Sequence, residues 1–344
     1  MYNSLMGKSE REEFEKAIIV ERLAKNFEIT EKKSGLIGSL QTLIVPTKKT
    51  VRALKSISFS ISQGELIGFI GPNGAGKTTT LKILSGLLYP SSGFVQVLGF
   101  DPWVRRPEFL KQISLVMGQK NQLWWDLPAI DTFELNKAIY EIPDNKFKEN
   151  LEELTTILEV KKLLNTQVRR LSLGQRMRLE LVAALLHKPK VLFLDEPTIG
   201  LDVVAQQKVR DFIFDYNRRF KATIMLTSHN MDDLIDLAKR VIVVYKGEIL
   251  FDGDLKELVG QFAREKIIKV YLDKPAYIKK FSEIGKVKKY DYPQAIIRVP
   301  REASAVAASE LLQNFPVADL TIEEEPIEDI IRRVFKGETV KKKS

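Results

Sequence analysis

The chain has 344 residues, 44% of them hydrophobic and 29% charged, with a formal net charge of +9 at pH 7. That size and balance suit a two-domain globular protein, and no run approaches the ~18 consecutive apolar residues of a spanning helix, so the chain is not expected to form a membrane pore alone. The lack of cysteine excludes disulfides and thiolate metal sites, and the basic excess is spread along the chain, so no nucleic-acid partner is expected.

Residues 1–16 are polar, carry no signal-peptide apolar core and read as an N-terminal tail. A first strand is expected over 17–29, where Ile18, Ile19 and Val20 lead to Phe27. Alternation of Ile57, Phe59 and Ile61 predicts a half-buried strand over 51–61. Between them, 30–50 reads as an insertion in which Leu36, Ile37, Leu40, Leu43 and Ile44 recur at helical spacing. A core helix or an amphipathic helix at a membrane or permease surface would both use that face.

Glu65–Ile70 is a short apolar strand pattern, and Thr79–Leu84 is a helix pattern. The octapeptide between them, Gly71-Pro72-Asn73-Gly74-Ala75-Gly76-Lys77-Thr78, fits G-x-x-x-x-G-K-[ST] at every fixed position. Its glycines let successive backbone N–H groups converge on a phosphate, and the following helix contributes its positive end. Lys77 is placed to reach the β- and γ-phosphates, and the Thr78 hydroxyl to ligate Mg²⁺.

Residues 103–170 are helix-rich, and Trp124, Trp125, Phe133 and Tyr140 fall within them. Adjacent tryptophans cannot both point inward from one helix, which gives an interface role weight. Leu171-Ser172-Leu173-Gly174-Gln175 opens a helix over 176–186. His187, before Pro189, is expected to serve structurally as a cation at the helix's negative end. Val191–Leu194 is an apolar strand ending in Asp195 and Glu196, and another strand, 223–228, precedes His229. Gly247 suggests a hairpin and 255–264 a helix. Beyond it the pattern is β-α-β-β-α-β, that of a small ferredoxin-like α+β domain over 266–336, with a last helix from Pro326 and a basic tail at 337–344.

In this order the elements resemble the nucleotide-binding subunit of an ATP-binding-cassette (ABC) transporter, over roughly residues 17–260. The Leu-Ser-x-Gly-Gln stretch just before the carboxylate strand is the most family-specific part. The resemblance implies an α/β P-loop NTPase cassette over 17–261: a RecA-like core, an antiparallel β-subdomain and a helical subdomain at 103–170. The cofactors implied are ATP and Mg²⁺. Asp195-Glu196-Pro197-Thr198-Ile199-Gly200-Leu201-Asp202 is typical of ABC-2-type exporters. The implied partners are a second nucleotide-binding subunit, arranged head to tail, and integral-membrane permease subunits that hold the chain at the cytoplasmic face. A soluble ABC-class ATPase of macromolecular assembly is the alternative.

Residue by residue, the resemblance implies that Gly71, Asn73, Gly74, Ala75, Gly76, Lys77, Thr78 and Thr79 cradle the nucleotide's phosphates. Phe27 stacks on the base. Asp195, Thr78 and Gln119 hold Mg²⁺. Glu196 is the general base, assisted by His229 and Gln119. Ser172, Gly174 and Gln175 meet the nucleotide bound by the opposite subunit, and Asp202 is a further nucleotide-binding residue. The family pattern has Gly where this chain has Leu173, which puts the turn geometry there in question.

Overall fold

The computed structural model describes residues 16–31, 47–118, 120–228 and 232–335. The described residues form two compact units, one ending at Gly253 and one beginning at Asp254. In chain order the first holds β1 (Lys16–Glu31), β2 (Thr47–Ser62), β3 (Leu66–Ile70), α1 (Lys77–Leu84), β4 (Ser92–Val97), α2 (Pro107–Leu110) and β5 (Ile113–Met117). It continues with α3 (Ala129–Ile139), α4 (Asp144–Ile157), α5 (Leu173–Leu185), β6 (Val191–Asp195), α6 (Val203–Phe220), β7 (Thr223–Ser228), α7 (Asp232–Leu237), β8 (Arg240–Tyr245) and β9 (Glu248–Asp254). Short 3₁₀ turns punctuate the connections.

The central sheet runs β5-β6-β7-β3-β8-β9, and its first five strands are parallel. All five residues of β3 are buried, and β7 is buried along its whole length. A parallel strand covered on both faces needs such an unbroken apolar run, because neither side meets water. β9 alternates exposed and half-buried residues, as an edge strand does. It returns from β8 through Lys246-Gly247, both with positive φ, the two-residue turn that matches the twist of a hairpin. A three-stranded antiparallel sheet, β2-β1-β4, shares a core with α1 and with Phe69, Phe193, Met225 and Ile242 of the parallel sheet. β1 and β2 pair out to Glu31 and Thr47, so strand enters both ends of the expected insertion. Its Leu36–Ile44 face lies outside the described residues.

Parallel strands have a common direction, so their carboxyl ends share one edge. Gly71 follows β3, Asp195 ends β6 and Ser228 ends β7. In the register, Asp195 is opposite Thr227, and Ile70 is opposite Ser228.

The second unit holds α8 (Leu255–Phe262), β10 (Glu265–Leu272), α9 (Ile278–Ile284), β11 (Lys286–Asp291), β12 (Gln294–Pro300), α10 (Ser304–Asn314), β13 (Val317–Glu324) and α11 (Ile327–Phe335). Its antiparallel sheet is ordered β11-β12-β10-β13, the ferredoxin-like arrangement. Ile268 and Val270 of β10, Ile297 and Val299 of β12, Phe281 of α9 and Leu311 of α10 form its core. Phe281 and Phe315 stack with centroids 4.2 Å apart. Arg298 alternates with Ile297 and Val299, so it faces away from that core; it donates to Asp329 of α11 at 2.5 Å. Arg333 of α11 donates to the Phe262 carbonyl at 2.9 Å and pairs with Glu325. α11 thus returns to its own sheet, and α8 belongs with it, which sets the division between units at Gly253/Asp254.

Candidate functional site: a phosphate-binding cleft at the strand ends

A cleft of about 600 Å³ opens at the carboxyl edge of the parallel sheet. It is lined by Asn73, Gly74, Gly76, Lys77, Thr78 and Thr79 of the P-loop, by Asp195 and Glu196, and by Val51, Arg52 and Ala53 of β2, with Lys82, Met117 and Lys120 completing the wall.

The loop has its shape for steric reasons. Gly76 sits at φ 109°, and a Cβ there would lie 2.6 Å from the Leu54 side chain and 2.8 Å from the Ala53 carbonyl. Only glycine fits that backbone at that separation. Gly76 also leaves α1 without a side-chain cap, so the first N–H groups of that helix are open to an anion.

Lys77 is 6% exposed. Its ammonium donates to the Gly71 carbonyl at 2.7 Å and lies 3.9 Å from Glu196 Oε1. Burial pushes its pKa below the usual lysine range, opposed by the nearby Glu196 and Asp195 charges. The Thr78 hydroxyl donates to Asp195 Oδ2 at 2.7 Å, and the Thr227 hydroxyl to Asp195 Oδ1 at 2.6 Å. Glu196 has φ 54°, uncommon for a residue with a side chain. Its N–H is held by the Thr227 carbonyl at 3.0 Å. On the other side, a Cβ on Gly118 would meet the Glu196 carbonyl at 2.2 Å, so the end of β5 approaches Glu196 as closely as glycine permits.

This donor set fits a nucleotide with a hard divalent cation. A hydroxyl and a carboxylate, both oxygen ligands, meet beside an ammonium and an uncapped helix N-terminus.

The structure brings Lys77, Thr78, Asp195 and Glu196 together as the motifs lead one to expect. Ala75 is buried beneath the loop and Gly71 at its base. Phe27 does not line the cleft; its cross-strand neighbour Val51 does. Ser172 and Asp202 are helix N-caps away from the cleft. The Ser172 hydroxyl accepts from the Gln175 N–H at 3.2 Å while Gln175 Oε1 accepts from the Ser172 N–H at 3.0 Å. Asp202 accepts from the Ala205 N–H at 2.9 Å. Leu173 packs over Gly200, where a Cβ would come within 2.9 Å of its side chain. Gln119 and His229 lie outside the described residues. Trp124 and Trp125 are 52% and 48% exposed, off any helix, and Arg176 lies over the Trp125 ring.

His187 differs from expectation. Its ring stacks on Tyr140 with centroids 3.8 Å apart, and Nε2 meets the Ile113 carbonyl at 3.0 Å. Burial lowers its pKa to about 4, so it is a neutral packing residue and not a cation at the helix end.

Sequence reasoning missed Arg52, Lys82, Lys120 and Thr227. For Thr227 a signal was present: it is a polar residue near the end of a buried apolar strand, and it pairs with Asp195. The three basic residues carry no motif; only the fold turns them to the cleft.

The fold and this site define a P-loop ATPase cassette. A family model described as ABC transporter matches residues 54–199, and one described as EvrA-like ABC transporter, C-terminal domain, matches 264–323. The ABC transporter ATP-binding protein NatA of Bacillus subtilis is 33% identical over 228 residues, which are 66% of this chain and 92% of that one. The ABC transporter ATP-binding protein MJ1023 of Methanocaldococcus jannaschii is 27% identical over 273 residues, 79% of this chain and 94% of its own. Among solved structures, the cassette MJ0796 in a dimeric, post-hydrolysis state bound to ADP and Pi matches with a TM-score of 0.58 and 23% identity, over 69% of this chain and 98% of that one. CbiO1 from Clostridium perfringens, part of the complex cbiONQ, matches with a TM-score of 0.59 and 24% identity, over 72% and 92%. At such identities these two establish the fold alone. The chain belongs to the family of ABC transporter ATP-binding proteins and is an ATPase. Among the described residues no helix is long and apolar enough to cross a membrane.

Proposed function

We propose that the chain is the ATP-hydrolysing subunit of an ABC-2-type exporter, working at the cytoplasmic face through separate permease subunits. Two copies, or this chain and a close relative, close head to tail on two nucleotides. In each site Lys77, Thr79 and the P-loop amides bind the phosphates, Thr78 and Asp195 hold Mg²⁺ with Gln119, and Phe27 meets the base beside Val51. Glu196 takes a proton from the attacking water, with His229 orienting it. Ser172, Gly174, Gln175 and Asp202 serve the nucleotide of the opposite subunit. Exposed Trp124 and Trp125 suit a permease contact, and residues 195–202 together with the ferredoxin-like second unit support the exporter assignment.

One observation carries the head-to-tail reading. Ser172, Gly174, Gln175 and Asp202 are absent from the lining of the cleft that their own chain's P-loop builds. Their service to a nucleotide therefore requires a second subunit. Mixing Lys77→Ala with Ser172→Ala tests this. Each mixed dimer has one site with both lesions and one with neither, so activity returns on mixing if one intact site suffices. Loss of ATP binding by Ser172→Ala as a monomer, with no rescue on mixing, refutes the arrangement. The capping role of Ser172 alone is worth about 1 kcal/mol of helix stability, too little to prevent folding.

A further inference from the structure

Asp233 of α7 is fully buried and belongs to no motif that the function uses. A buried carboxylate is costly unless paired and hydrogen-bonded. Asp233 is both. Arg210 of α6 donates to its Oδ1 at 2.9 Å. The Thr198 hydroxyl donates to Oδ2 at 2.5 Å and the Ser228 hydroxyl to the same oxygen at 2.8 Å.

The two hydroxyls come from the two chain segments that flank Glu196. Thr198 is two residues beyond it, past Pro197. Ser228 follows Thr227, whose carbonyl receives the Glu196 N–H and whose hydroxyl bonds Asp195. The ends of β6 and β7 are thus tied twice. Thr227 ties them on the cleft side, and Asp233 ties them from behind. Glu196 sits between the ties at φ 54°, in the left-handed region that a residue with a side chain adopts at some cost. Arg210 extends the tie to α6, whose first residue follows Asp202.

We propose that Asp233 is a positioning residue for hydrolysis: through Thr198 and Ser228 it fixes the backbone of Glu196 against the attacking water, and through Arg210 it links that backbone to the helix that Asp202 caps. This rests on the reading of Glu196 as the base. It assigns Asp233 no contact with nucleotide, so its loss lowers turnover and leaves nucleotide affinity intact. Fixed geometry at a reacting centre is worth much in rate, and a small displacement can cost about 10²-fold.

The test uses the full-length chain with Thr198→Val, Thr198→Ser, Asp233→Asn and Glu196→Gln. Asp233→Asn takes a buried carboxylate away from the Arg210 guanidinium and lowers thermal stability as well. Thr198→Val therefore carries the test, since it removes one hydroxyl and keeps the volume. The expected result is a fall in kcat of about 10- to 100-fold, with ATP Kd close to that of the parent and only a modest fall in melting temperature, because Ser228 still donates to the same oxygen. Thr198→Ser, which retains the hydroxyl, restores kcat. Full turnover in Thr198→Val beside an inactive Glu196→Gln overturns the proposal alone. So does a rate loss that tracks lost affinity and stability and that serine fails to rescue. Normal turnover in Glu196→Gln removes the base assignment, and the proposal falls with it.

Discussion

The Thr78 hydroxyl and Asp195 Oδ2 are 2.7 Å apart, which joins the first turn of α1 to the last residue of β6. These two side chains come from segments 117 residues apart, and their separation suits two oxygens that share one small cation.

Thr78→Ala removes one oxygen of that pair. The expected result is a loss of Mg²⁺-dependent nucleotide affinity and of turnover, while nucleotide affinity without Mg²⁺ changes little. Titration with a fluorescent ATP analogue, with Mg²⁺ and with EDTA, checks this. Equal losses under both conditions would place Thr78 on the phosphates and not on the cation.

Glu196→Gln keeps the shape of the side chain and removes its basicity. Turnover should fall by about 10²–10⁴ with ATP binding retained, the range for a lost general base. Gel filtration with ATP and Mg²⁺ should then show a dimer that the parent does not accumulate. Near-normal hydrolysis would reassign the base.

Two buried groups on and just beyond α5 give opposite pH slopes. Burial raises Glu180 from its ordinary 4.5 to about 7, against the opposing pull of Arg176 and a hydrogen bond from the Gln122 backbone. Between pH 4.5 and 7 the folded chain keeps a proton there that the unfolded chain has released, so this contribution falls as pH rises. His187 is the converse. Between pH 6.5 and 4 the unfolded chain gains a proton that the folded chain refuses, so its contribution rises with pH. The two offset each other in the parent. Glu180→Gln should therefore expose a stability that climbs from pH 4 to 6.5, and His187→Gln one that declines from 4.5 to 7. The Glu180 part amounts to about 3 kcal/mol. Urea unfolding at several pH values decides, and parallel profiles for both variants would contradict the assignment.

A chain ended at Gly253 should fold and bind ATP, because each unit has a core of its own and the residues that line the cleft belong to the first. Circular dichroism and ATP titration of the shortened chain check this. An unfolded product would show that the two units stabilise each other. We further propose that the second unit acts on dimerisation or coupling, which dimer measurements with and without it would resolve.

The local chemistry was legible before any coordinates. Lys77, Thr78, Asp195 and Glu196 occur in short contiguous motifs whose spacing forces strand–loop–helix or strand-end geometry. The β-α-β-β-α-β order was likewise written in alternating apolar residues, and Gly247 announced its turn. Each of these signals is local, decided within a few residues by backbone sterics or side-chain periodicity.

Other properties arise only when distant segments meet. Asp233 is one acid among many in the sequence; packing removes it from water and sets Arg210, Thr198 and Ser228 around it. His187 looks cationic beside a helix end, yet Tyr140 and the core strip it of solvent and keep it neutral. Sequence alone determined that Lys77, Thr78, Asp195 and Glu196 would stand at strand ends and in a glycine-rich loop, because those motifs fix local geometry by spacing. Tertiary structure decided which side chains hold them in place and in what charge state, because burial and ion pairing depend on neighbours that the order of the chain does not name.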